Sequence, residues 1–185
     1  MKKTLVMLML VAASMTVAAS TAFAQENPMV GGAAMFSTKD IVDNAVNSAD
    51  HTTLVAAVKA AGLVPTLKSK GPFTVFAPTN AAFDKLPAGT VEMLVKPENK
   101  EMLTKILTYH VVAGKYDSKK LMKLIQKGGG TASLKTVSGG TLMAMMSGNS
   151  IVLKDEKGGT SNVTIADVRQ SNGVIHVIDT VVMPN

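Results

Sequence analysis

Gly71-Pro72-Phe73-Thr74-Val75-Phe76-Ala77-Pro78-Thr79-Asn80-Ala81-Ala82-Phe83 is the stretch whose reading decides the fold. Phe73 to Phe76 is a short apolar strand, and Pro78 ends it because proline donates nothing to a hydrogen-bonded ladder. Thr79 or Asn80 then caps a short helix that carries Phe83 and Leu86. A second strand-rich block, Asn172-Gly173-Val174-Ile175-His176-Val177-Ile178-Asp179, stands near the C-terminus. We expect the two blocks to be neighbours in space, with Phe73, Val75, Phe76, Phe83, Leu103, Leu107, Ile175 and Val177 in the core.

Between and before these blocks the spacing is helical. Ile41, Val42, Ala45 and Val46 mark one helix from Asp40, and Leu54, Val55, Val58 and Ala61 mark a second, with Gly62 where a left-handed cap is wanted. Thr90 caps a turn carrying Val91, Met93, Leu94 and Val95. Pro97 fits the first position of a helix whose apolar face is Met102, Leu103, Ile106 and Leu107. Tyr109 to Val112 reads as a strand, Ser118 as the cap of a helix through Ile125, and Gly128 to Gly130 as its end. Then the pattern changes. Short strands, 132–137, 141–146, 151–154, 163–168 and 174–183, alternate with Gly- and Asn-containing turns, the rhythm of an antiparallel layer. An isolated strand leaves backbone groups unpaired, so 73–76 and 109–112 must join that layer, making one α+β domain.

The N-terminus has the layout of a secretory signal peptide. Lys2 and Lys3 precede an apolar run, and Ala22-Phe23-Ala24 supplies the small-x-small cleavage pattern. Residues 1–24 are read as this leader, 25–36 as an extended arm and 37–185 as the domain. The product is expected to be secreted or periplasmic, without a later membrane span. Cleavage leaves 161 of 185 residues, and the formal charge falls from +6 to +4 as Lys2 and Lys3 depart. Such a chain favours anionic surfaces mildly. With one Arg and few aromatics it does not read as a nucleic-acid binder. It has no Cys, which excludes disulfides, thiolate metal sites and Cys nucleophiles.

Candidate chemistry is sparse. His51, His110 and His176 show no i, i+4 pairing on one helix, and we read them as hydrogen-bonded within the fold. No Gly-x-Ser-x-Gly elbow occurs, and Asp155-Glu156 reads as a solvated turn. Met143, Met145 and Met146 fall on one strand. Thioethers suit Cu(I), but two of the three point one way and the third the other, so core packing is the preferred reading. Tyr109-His110 is either a ligand-contact pair or a structural pair whose hydroxyl finds an internal partner. We assign no catalytic residue, cofactor or metal.

The Gly71–Phe83 block, Tyr109-His110 and the Asn172–Asp179 block with Val181, Val182 and Pro184 resemble, in order and spacing, the signature motifs of fasciclin domains. The likeness covers about residues 37–184 and is greatest to small single-domain secreted bacterial members. It implies an α+β fold, a wedge of two β sheets flanked by helices, and a non-enzymatic adhesion or cell-surface interaction module. In animal members the Tyr-His motif and an Asp-Ile pair are linked to integrin binding. The corresponding positions, Tyr109, His110, Asp167 and Val168, are therefore the expected partner-binding residues, on a surface of sheet edge and loops. The expected partner is a cell-surface or extracellular-matrix protein or glycan, met by a monomer or weak homo-oligomer. The alternative is an exported protein that binds a small apolar ligand or copper.

Overall fold

The structure, a computed structural model, describes residues 27–185. The leader and its cleavage site lie outside the described residues. Of the segment read as an extended arm, Met29–Val30 (β1) and Ala33–Ala34 (β2) form a small antiparallel hairpin. It folds back because Val30 and Met35 bury their side chains in the core.

Three helices follow: α1 (Ile41–Ala45), α2 (Thr52–Ala61) and α3 (Val64–Lys68). Asp40 caps α1 by accepting the Asp43 N–H at 2.8 Å. Gly62 ends α2 in the left-handed region at φ 74°, where a side chain would be strained. β3 (Phe73–Pro78) then runs into α4 (Asn80–Asp84), and the Thr79 hydroxyl accepts the Ala82 N–H, as the sequence predicts. α5 (Thr90–Leu94) and α6 (Lys100–Tyr109) lead to β4 (Val111–Ala113) and α7 (Ser118–Lys127).

Two local expectations are corrected here. Tyr109 and His110 end a helix instead of opening a strand. The His110 N–H bonds Leu107, and its Nδ1–H takes the Ile106 carbonyl instead, at 2.8 Å, which finishes the last turn. Ser118 is the first residue of α7, and Asp117 is its cap, accepting the Lys120 N–H.

The remaining strands are β5 (Thr131–Lys135), β6 (Thr141–Ser147), β7 (Ser150–Lys154), β8 (Thr160–Gln170) and β9 (Gly173–Ile178). Seven strands form one mixed sheet in the order β4-β3-β9-β8-β7-β6-β5. β3 and β9 are parallel, from Phe73 opposite Gly173 to Pro78 opposite Ile178, and the other pairs are antiparallel. β8 bends at register shifts between Val163 and Val168. Its first residues pair with β7 and its later ones with β9, so the sheet folds into the two leaves of a wedge. The outer strands converge on one bridge, Val112 with Thr136, beside a Val137 N–H to Val111 carbonyl bond of 2.8 Å. The edges therefore meet, and α7 packs against β5.

Strand alternation divides the core. Val75, Ala77, Ile175 and Val177 face the helices, where Leu54, Val58, Phe83, Leu103 and Leu107 meet them. Phe76 and Ile178 face the inside of the wedge, with Tyr109, Leu121, Ile125, Leu142 and Leu153. Of the expected core residues, only Phe73 is half-buried.

Phe76 has no exposed surface. Phe76→Ala is expected to cost about 3–5 kcal/mol in urea unfolding. A Cβ on Gly173 would stand 2.1 Å from the Phe73 carbonyl oxygen. Gly173→Ala is therefore expected to cost roughly 2–3 kcal/mol by overpacking backbone against backbone, and an unchanged midpoint in either variant contradicts this packing.

Candidate functional site

Tyr109 closes the wedge. Its ring is fully buried, and its hydroxyl donates to the Thr141 carbonyl at 2.7 Å and accepts the Glu156 N–H at 3.2 Å. One phenol thus ties α6 to β6 and to the turn between β7 and β8. Burial, with the charges of Glu156 and Asp155 nearby, pushes its pKa up to about 12.

His110 is 2% exposed. Nδ1 carries the proton given to Ile106, and Nε2 accepts the Val182 N–H at 3.2 Å, so the network assigns the neutral Nδ1–H tautomer. Burial pulls its pKa down to about 4. The imidazole locks the C-terminal tail onto the end of α6.

Asp167 sits in the bend of β8 with φ 61°, a left-handed conformation that Asp tolerates. Its carboxylate accepts the Ser118 N–H at 2.6 Å and the Ser118 hydroxyl. A negative charge in the first turn of α7 also complements the helix dipole. The Asp167 N–H donates to His176 Nδ1 at 3.3 Å, and His176 Nε2–H donates to the Tyr116 carbonyl at 2.7 Å. The His176 ring stacks on Phe76 with centroids 5.6 Å apart, and burial lowers its pKa. Val168 is fully buried opposite Ile175.

The four expected partner-binding residues thus form two separate clamps. Among the described residues, no hydrogen bond joins Tyr109-His110 to Asp167-Val168. Tyr109, His110 and Val168 are buried, and the polar atoms of Tyr109, His110 and Asp167 bond within the chain.

Asn172 is a hub that sequence reading passes over as a turn residue. Its Oδ1 accepts the Ile41 N–H at 3.1 Å, and its amide donates to the carbonyls of Leu67 and Ser69 at 2.7 and 3.0 Å. These partners lie over 100 residues away in sequence, so no local pattern announces them. Asn44 likewise bonds Gln170 and the Phe36 carbonyl, joining α1 to β8.

Two features bear on the ligand alternative. An apolar cavity of about 60 Å³ lies beneath α2 and α3 against β3 and β9, lined by Leu54, Val58, Leu67, Val75 and Ile175 among others. The three strand methionines divide between faces: Met146 packs on the wedge core, while Met143 and Met145 alternate with buried Leu142 and Ala144. Among the described residues, no three His, Asp or Glu side chains converge as a metal cluster. No helix among them is long and apolar enough to cross a membrane.

Residues 49–184 match the profile of the Fasciclin domain. Over 162 residues the chain is 48% identical to Protein sll1483 of Synechocystis sp., spanning 86% of this chain and 82% of that protein. It is 32% identical over 168 residues to the cell surface glycolipoprotein MPB83 of Mycobacterium bovis, spanning 88% of this chain and 69% of that protein. Among solved structures, a FAS1 domain pair from the insect cell adhesion molecule Fasciclin I superposes with a TM-score of 0.68 at 21% identity, over 77% of this chain and 50% of that one. That likeness is one of fold.

Buried neutral histidines make stability depend on pH. Below the ordinary histidine value of 6.5 the unfolded chain binds a proton at position 110 that the folded chain refuses until about pH 4. Stability is therefore whole above pH 6.5 and falls as the pH drops from 6.5 towards 4, by on the order of 3 kcal/mol for His110 alone. His51 and His176, also lowered by burial, add to the same fall. Asp40, Glu156 and Asp179 are held below their ordinary values of 3.8 to 4.5, so their contribution is lost only at lower pH. Urea unfolding across this range measures the fall. A His110 imidazole that titrates near 6.5 by NMR contradicts it.

Proposed function

This chain belongs to the fasciclin-domain family, and on that premise we propose that it is a non-catalytic attachment module that meets its partner through its outer surface. The observation that carries the reading is the internal use of the signature residues. Tyr109, His110, Asp167 and His176 spend their polar groups on Thr141, Glu156, Ile106, Val182, Ser118 and Tyr116. Residues so engaged are poor candidates for turning over a substrate, which needs free acids, bases or nucleophiles at a cleft. They fix α6 and α7 in place, and recognition falls to what those helices and the loops display.

On this reading Tyr109, His110, Asp167 and Val168 act on a partner by positioning other groups. The partner is a cell-surface or extracellular-matrix component, and the protein works outside the cytoplasm, in keeping with its relative MPB83, a cell surface glycolipoprotein. A monomer or weak homo-oligomer suffices.

The cavity under α2 and α3 supports a second reading, a carrier of a small apolar molecule. One preparation separates the two. Beads coated with the purified protein are tested for capture of cells or envelope fragments, and the same protein is weighed by native mass spectrometry. Capture well above that of beads coated with an unrelated protein supports attachment. A stoichiometric apolar adduct with no capture favours the carrier, and neither result overturns both.

A further inference from the structure

We propose that the exposed face of α7 is a docking surface for an acidic polysaccharide, engaged by Lys119, Lys123 and Lys127 as a row of point charges. The inference rests on the attachment reading and names its partner class. Residues 115–135 hold six Lys (115, 119, 120, 123, 127 and 135) and one acid, Asp117. This short stretch therefore has an excess of five positive charges, against +6 for the whole chain.

The row is built, not scattered. Leu121 and Ile125 bury the other side of α7 in the wedge core, so the helix cannot roll. Lys119, Lys123 and Lys127 are exposed and four residues apart, which sets them along one stripe at steps of about 6 Å. Like charges at this spacing repel by a few tenths of a kcal/mol per pair. Nothing in the described structure relieves them: its three ion pairs use Lys68 and Lys85. Asp117 and Asp167, at the start of the helix, are both spent on its first turn. Lys120 stands apart from the row, with its ammonium 4.3 Å above the Tyr116 ring and bonded to the Lys115 carbonyl.

Charge complementarity calls for an anion, and the details select its kind. Lysines are compact charges without the planar fork that reads bases or clamps phosphates in pairs. The one aromatic ring at hand, Tyr116, is covered by Lys120, so no platform remains for stacking nucleobases. The apolar side of α7 is consumed by the core, leaving nothing to insert into a bilayer. A narrow row of about 12 Å suits a linear polymer bearing carboxylates or sulfates along its length.

The test uses the purified protein and four probes at one low salt concentration: alginate oligosaccharides, heparin fragments, vesicles of phosphatidylcholine with phosphatidylglycerol, and a single-stranded oligonucleotide. We expect one or both glycans to bind most tightly, with affinity falling as salt rises. Lys119→Gln/Lys123→Gln/Lys127→Gln should weaken glycan binding at least about tenfold and flatten the salt dependence by the loss of roughly two to three ionic contacts. Lys59→Gln/Lys70→Gln/Lys96→Gln should bind as the parent does and keep its unfolding midpoint, and the α7 variant should unfold no earlier than the parent. The inference is overturned if neither glycan binds, if vesicles or oligonucleotide bind more tightly than both, or if the two variants behave alike. Bead capture that survives the α7 substitutions sinks this surface and leaves the attachment reading intact. Glycan binding lost with the row, in a protein that captures no cells, does the reverse.

Discussion

β3 and β9 run side by side in parallel, and their first residues approach backbone to backbone with no side chain between. The Phe73 N–H reaches the Asn172 carbonyl at 3.0 Å. A Cβ on Gly71 would stand 2.1 Å from that carbonyl oxygen, and one on Gly173 equally close to the Phe73 oxygen. Two glycines thus permit the contact that joins the first half of the chain to its last strand. Once it is made, β4 adds to one side of the pair and β8 to the other, and Asn172 ties α1 and α3 to the same corner. Both halves of the core lie against these two strands, so loosening them opens both.

Around this spine the buried polar groups act as fasteners between elements distant in sequence. Tyr109, His110, Asn172 and His176 each have their partners supplied, the condition under which interior polarity specifies a structure instead of weakening it, whereas the buried His51 bonds Ser48 through Nδ1 and leaves Nε2 without a partner. The arrangement also explains why motifs that stand out in the sequence need not touch a partner. A Tyr-His pair and an Asp-Val pair can be indispensable to a surface by holding the helices that form it.

The sequence was most legible where chemistry is local. Gly62, Thr79 and Pro78 punctuate the chain as their backbone preferences dictate, and the alternation in residues 131–154 reads directly as strands. The central pairing was legible because each block carries its own apolar pattern. Less legible were Tyr109 and His110, which read as continuous with the strand that Val111 and Val112 form, although a side-chain bond makes them the end of the helix. The burial of Tyr109, His110 and Val168 was hidden as well, since it depends on strands and a tail that arrive much later in the chain. Asn172 and Gln170 belong to the same class. The lysines of α7 drew no notice in the sequence, because their isolation from acids is apparent only once the caps of that helix are placed.

The bridge between Val112 and Thr136 carries a consequence for crowding. A sheet whose flanks lie open can template the same strand from a second copy, which is how many β proteins coalesce when concentrated. Here β4 is three residues long, β5 five, and they lean toward each other while α7 shields the latter. Along these two flanks a neighbouring copy therefore meets side chains and little free backbone.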